Sequence, residues 1–134
     1  MIKDFQKWHK RKEQLNGNKE RLFFHEREIW YCSLGANLGF ETDGKGDEFL
    51  RPVVIVRKFN NEIFWAVPLT KSKKPVPYKA EKYYFAFSFV PEVKSLAVLS
   101  QIRLIDACRL TRHAGTMNEA EFHELTKKLK ALLP

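Results

Sequence analysis

The side chains of this chain that could do chemistry fall in three polar islands. Residues 35–41 read Gly-Ala-Asn-Leu-Gly-Phe-Glu and lead through a Gly-rich stretch to Arg51-Pro52. Residues 68–72 read Pro-Leu-Thr-Lys-Ser, and residues 99–103 read Leu-Ser-Gln-Ile-Arg with Asp106 just beyond. Each island lies at the end of a β-type apolar run, where a rigid scaffold exposes loop side chains to a ligand. Charge narrows the choice of ligand. Lys+Arg number 24 against 16 Asp+Glu, a formal net charge of +8, and such a surplus favours polyanions because each phosphate contact releases condensed counterions.

Other chemistries find less support. Cys32 and Cys108 stand far apart, form no CxxC pair and have no histidine cluster beside them. That pattern suits neither a zinc site nor a disulfide framework, so no metal and no other cofactor is expected. The histidines, His9, His25, His113 and His123, all lie outside the three islands. Each reads as solvated or packed, although His25 at the entrance to the first strand is near enough to a groove to stay open as an acid or base.

The elements that must position the islands are short. Residues 4–16 read as an amphipathic helix capped by Asp4, with Phe5, Trp8 and Leu15 on one face and Lys7, Lys10 and Arg11 on the other. Residues 17–24 read as a linker. Five strands are predicted at 28–34, 51–59, 62–69, 82–89 and 96–105. Val53-Val-Ile-Val56 is β-branched throughout, as a strand buried on both sides would be. Asn60-Asn61 suits a tight turn with positive φ, which would make a hairpin of strands two and three. A last helix starts at Asn118 as cap, with Glu121 completing a capping box and Met117 stapling onto Phe122; Phe122, Leu125, Leu129, Leu132 and Leu133 form its apolar stripe. The aromatic run Tyr83, Tyr84, Phe85, Phe87 and Phe89 reads as core on one face. A chain of 134 residues, 44% hydrophobic with 11 Phe, can bury a core as one domain. No apolar run approaches a membrane span, and the first residues are charged where a secretory leader would be apolar, so the cytoplasm is the expected location. The fold class is mainly β (α+β).

In their order and spacing these pieces resemble a known family. The run Arg27-Glu-Ile-Trp, then Leu-Gly, Gly39-Phe-Glu41, Arg51-Pro-Val-Val-Ile-Val, Pro-Leu-Thr70 and Leu-Ser-Gln101-Ile-Arg103-Leu-Ile-Asp is similar to the PemK/MazF toxins of toxin–antitoxin pairs. The resemblance divides the chain into an N-terminal helical extension, 1–26, and a toxin domain, 27–134. It implies an SH3-like small β-barrel of about five antiparallel strands with a C-terminal helix, to which this chain adds an N-terminal one. It further implies a homodimer that cuts single-stranded RNA without metal and is neutralised by a cognate acidic antitoxin whose disordered tail fills the same groove.

Metal-free RNA cleavage needs the 2′-OH to lose a proton as it attacks phosphorus, the phosphorane to have its charge held, and the 5′-oxygen to gain a proton. By the resemblance, Arg51 holds that charge, Thr70 donates its hydroxyl to a phosphate oxygen, and Glu41 orients Arg51 or accepts the proton. The bland alternatives are a strand-end arginine paired with Asp47 or Glu48, a threonine ending a strand, and an idle loop glutamate. Gln101 is expected to read a base edge or a phosphate, with Ser100 and Arg103 beside it, while Lys71, Lys73 and Lys74 add phosphate contacts without sequence choice. Some members carry an aspartate just before the glutamine and an arginine two residues earlier as a base and acid pair; this chain has Ser100 and Val98 there. That departure motivates a second reading, a barrel that binds RNA or peptide without turnover. A third, a toxin acting on a gyrase subunit, would have no need of a phosphate site.

Overall fold

The computed structural model describes residues 3–17, 22–46, 48–71, 76 and 78–134. In chain order these form α1 (Phe5–Gly17), β1 (Glu28–Ser33), β2 (Leu50–Lys58), β3 (Ile63–Lys71), β4 (Tyr84–Val90), β5 (Val93–Val98), β6 (Arg103–Asp106), β7 (Leu110–Thr116) and α2 (Glu119–Lys130). The strands join in the order β4-β5-β3-β2-β1-β7, with β6 also on β3, and every pairing is antiparallel. The result is the expected small, strongly curved antiparallel barrel with a helix at each end of the chain.

β3 makes the curvature. Its first half pairs with β6 from Ile63↔Asp106 to Ala66↔Arg103, and its last residues pair with β5 from Leu69↔Ala97 to Lys71↔Ser95. One strand thus passes from one layer into the other. β2 is buried on both faces, as its β-branched run requires: Val53 and Ile55 enter a core with Phe24, Cys32 and Phe64, whereas Val54 and Val56 enter a second core with Leu69, Phe87 and Leu125.

α2 covers the second core. Asn118 accepts a hydrogen bond from the Glu121 amide at 2.8 Å, so the cap forms where the sequence places it. Met117 and Leu125 are fully buried, with Phe122, Leu129 and Leu132 packed around them. Leu133 does not join that stripe and is largely exposed, since it lies in the turn beyond Lys130, the last residue of α2.

Four expectations require correction. The predicted strand 96–105 is two strands, β5 and β6, separated by a 3₁₀ turn at Leu99–Gln101; the chain must cross from the far end of β3 to its near end, and apolar periodicity does not register such a step. β7 was not predicted: as an edge strand with exposed Arg112 and His113 it alternates poorly. The Asn60-Asn61 turn closes without positive φ, because the Asn60 side chain accepts from the amides of Glu62 and Ile63. Finally, Phe5 is half exposed, leaving Trp8 and Leu15 as the buried residues of α1.

Candidate active site

The three islands meet at one end of the barrel. Alternation along β2 sends Arg51 to the same face as Val53 and Ile55, and along β3 it sends Thr70 to the same face as Ala66 and Pro68. Val53 pairs with Pro68 at the end of the β2–β3 ladder; Arg51 and Thr70 each lie two residues beyond that pair, and Arg51 reaches the carbonyl of Leu69, the residue before Thr70. Arg103, paired with Ala66, stands on that face as well. All three are half-buried at the rim of the first core.

Arg51 is held, not splayed. Its Nε donates to the Asp43 carbonyl at 2.5 Å and its Nη1 to the Leu69 carbonyl at 3.2 Å. Three of its five N–H groups therefore keep no partner among the described residues. Burial lowers the guanidinium below its usual value and Asp43 opposes that shift; the group stays charged because it starts from so high a value. No ion pair joins Arg51 to Glu48 among the described residues, and Asp47 lies outside them.

The loop from Leu34 to Phe49 delivers that carbonyl. Asn37 donates its side-chain amide to the carbonyls of Leu34 and Thr42. Asp43 accepts from the Asn37 amide at 2.7 Å. Gly44 donates to the Gly35 carbonyl at 2.7 Å, and Lys45 and Leu50 exchange hydrogen bonds. The stretch 39–46 is thus a folded, internally bonded loop. Asp43 did not stand out in the sequence; its signal is an aspartate at the head of Asp43-Gly44-Lys45-Gly46, a residue type that bonds its own loop backbone.

Residues 25–133 match the sequence model of the PemK-like, MazF-like toxin of type II toxin–antitoxin systems. The chain belongs to that family. Its role is that of the toxin, and its partner is an antitoxin. Among curated protein sequences none matches it. Solved structures share the fold at low identity. The Mycobacterium tuberculosis toxin MazF-mt6 is 14% identical with a TM-score of 0.57, over 78% of this chain and 94% of that one. An endoribonuclease in complex with its cognate antitoxin, from a mycobacterial species, is 16% identical with a TM-score of 0.58, over 84% and 98%.

In this PemK-like toxin the remaining candidates divide. Glu41 does not touch Arg51; it is exposed, its carboxylate accepts from the Leu38 amide at 3.1 Å, and its field falls on Arg103. Arg103 is lowered by burial and by Arg109, against the opposing pull of Cys32 and Glu41. Gln101 spends its amide on the loop, donating to the Phe40 carbonyl at 3.1 Å and accepting from the Thr42 amide at 3.3 Å. It ties the loop to the Leu99–Gln101 turn; the expected contact to a base edge or a phosphate would share the amide with those bonds. Ser100 and Lys71 are exposed beside the site, whereas Lys73 and Lys74 lie outside the described residues. No group of three or more metal-ligating side chains gathers among the described residues, and no described helix is long and apolar enough to cross a membrane.

The histidines lie elsewhere. His9 pairs with Glu13 on α1, and His25 and His113 approach Glu28 at 3.4 and 3.9 Å. Burial alone would raise the Glu28 carboxyl, but bonds from the Trp30 indole and from His25 outweigh it, and the net shift is downward from 4.5. A carboxyl lowered on folding adds stability above its unfolded value and loses it as pH falls through the folded one. Glu28→Gln should therefore flatten the acid limb of the stability curve below about pH 4.5 and leave the pH dependence around pH 7 unchanged; unfolding by urea at stepped pH checks this, and an unchanged acid limb refutes it. Burial pushes the Cys32 thiol up to about 12, which makes it a neutral core group.

Proposed function

We propose that this toxin is a metal-independent endoribonuclease for single-stranded RNA, with Arg51 and Thr70 acting on the scissile phosphate. The observation that carries the reading is Arg51 itself: a guanidinium fixed by two carbonyls, one of them that of Leu69 next to Thr70, with three N–H donors left over at the rim of the barrel.

The chemistry follows from what these groups can do. The 2′-oxygen attacks phosphorus and its proton passes to Glu41, directly or through one water. Arg51 holds the two charged oxygens of the phosphorane in a forked contact. Thr70 donates to a non-bridging oxygen. The P–O5′ bond breaks, the leaving 5′-oxygen takes a proton from solvent, and the products are a 2′,3′-cyclic phosphate and a 5′-hydroxyl. Lys71 and Arg103 flank the path of the strand, Ser100 stands at its edge, and Lys73 and Lys74, outside the described residues, are assigned phosphate contacts from their charge alone. A homodimer and an acidic antitoxin tail competing for the same hollow complete the proposal.

A diverse RNA pool incubated with the protein in EDTA should be cut to fragments with cyclic-phosphate ends. Absence of cleavage, with no growth arrest on expression, would reject the reading. Ser100 and Val98, together with the commitment of the Gln101 amide to the loop, favour one competitor, an RNA-binding barrel without turnover. Saturable RNA binding with no cleavage at high enzyme concentration would establish it.

A further inference from the structure

The family match begins at residue 25, yet the segment before it reaches the site. The Lys3 ammonium donates to the Asn37 carbonyl, to the Gly39 carbonyl at 3.2 Å and to the Asp43 carboxylate at 3.1–3.2 Å. An ammonium has three N–H donors, and all three close on the one loop that supplies Arg51 with its carbonyl. Lys3 and Asp43 are both mostly buried, at 15% and 19% side-chain exposure, so the pair is shielded from the screening that weakens surface ion pairs.

What brings Lys3 there is the docking of α1. Trp8 lies on Gly35 so closely that a Cβ at that position would sit 2.0 Å from its ring. It packs on Phe49 with ring centroids 5.3 Å apart, and the Arg109 guanidinium lies over it at 5.5 Å. Gly35 and Phe49 are the two ends of the same loop, joined by a hydrogen bond from the Gly35 amide to the Phe49 carbonyl. The helix therefore grips the base of the loop while Lys3 grips its tip.

We propose that the N-terminal segment is a positioning device for the active site, in which Lys3, acting through Asp43, sets the aim of the Arg51 guanidinium; this rests on the catalytic reading of Arg51. The chain of contacts is continuous: Lys3 to the Asp43 carboxylate, the Asp43 carbonyl to Arg51 Nε. Lys3 is a positioning residue, since it reaches the phosphate only through Asp43 and Arg51.

The test compares Lys3→Met, Lys3→Arg and Asp43→Asn in the full-length protein, with two readouts. Amide hydrogen exchange over residues 36–46 should quicken at least tenfold in Lys3→Met and Asp43→Asn, with the other strands unchanged, and should stay close to wild type in Lys3→Arg. Cleavage of a short RNA should lose about 10- to 100-fold in kcat with KM within about twofold, as expected of misaligned rather than missing groups. Unchanged exchange in Lys3→Met refutes the grip on the loop. Faster exchange with unchanged kcat refutes its coupling to Arg51. Should the wild-type protein cut no RNA, the catalytic reading fails, and the exchange arm alone then decides whether the segment holds the loop.

Discussion

Arg51→Lys should abolish most RNA cleavage while leaving a folded barrel. A lysine keeps the charge but presents a single point of it, and one ammonium cannot hold the Asp43 and Leu69 carbonyls while also forking onto two phosphate oxygens. Removal of one pre-aimed donor to a developing oxyanion costs on the order of 10²–10³ in rate. RNA binding should weaken far less, because Lys71 and the chain's other cations supply sequence-independent phosphate contacts. Leaving two half-buried carbonyls short of a donor should cost about 1–3 kcal/mol of stability. Single-turnover cleavage beside a binding titration and a thermal melt separates these effects. Cleavage within tenfold of wild type would remove Arg51 from the transition state.

Gly44→Ala should give the second large effect, this time on structure. A Cβ at position 44 would lie 1.5 Å from the Phe49 carbonyl oxygen and 2.0 Å from its carbon. Both are backbone atoms, so no side-chain rotation relieves the clash and the loop must open. Opening breaks the Gly44–Gly35 hydrogen bond and the Lys45–Leu50 pair, and overpacking together with lost bonds should remove about 2–4 kcal/mol. Asp43 moves with its neighbour, so cleavage should fall as well. Gly17→Ala, where nothing lies within 4 Å, serves as the contrast and should stay within about 0.5 kcal/mol of wild type. A Gly44→Ala protein as stable as Gly17→Ala would show that the loop does not close as described.

The legible parts of this chain were those written in local rules. β2 announced itself through four β-branched residues in a row, and α2 through Asn118 and Glu121 in register, because a strand buried twice and a capped helix each need only their own neighbourhood. Arg51 and Thr70 lie at the ends of such strands, but it was the resemblance to the PemK/MazF toxins that singled them out. What stayed hidden depends on partners distant in sequence. The break between β5 and β6 answers to the two ends of β3. Gln101 bonds a loop some sixty residues earlier, and Asp43 owes its importance to Lys3 on one side and Arg51 on the other. β7 gave almost no signal, since a strand with one wet edge has little reason to alternate. The sequence also left open where α1 would find a surface for Trp8, and the answer, a glycine on its own barrel, has no signature beyond the missing side chain.

β3 is bonded to β2, β5 and β6, and that sharing governs how the molecule comes into being. Loss of β3 would unpair three strands at once and both layers with them, so melting should be a single all-or-none event. During synthesis the rule runs in reverse: the groove stays unbuilt until β5, the Leu99–Gln101 turn and β6 have left the ribosome and closed on β3. A chain released before the Leu99–Gln101 turn and β6 would lack the Gln101 bonds to the loop and Arg103 at the rim, and so should be without an assembled site.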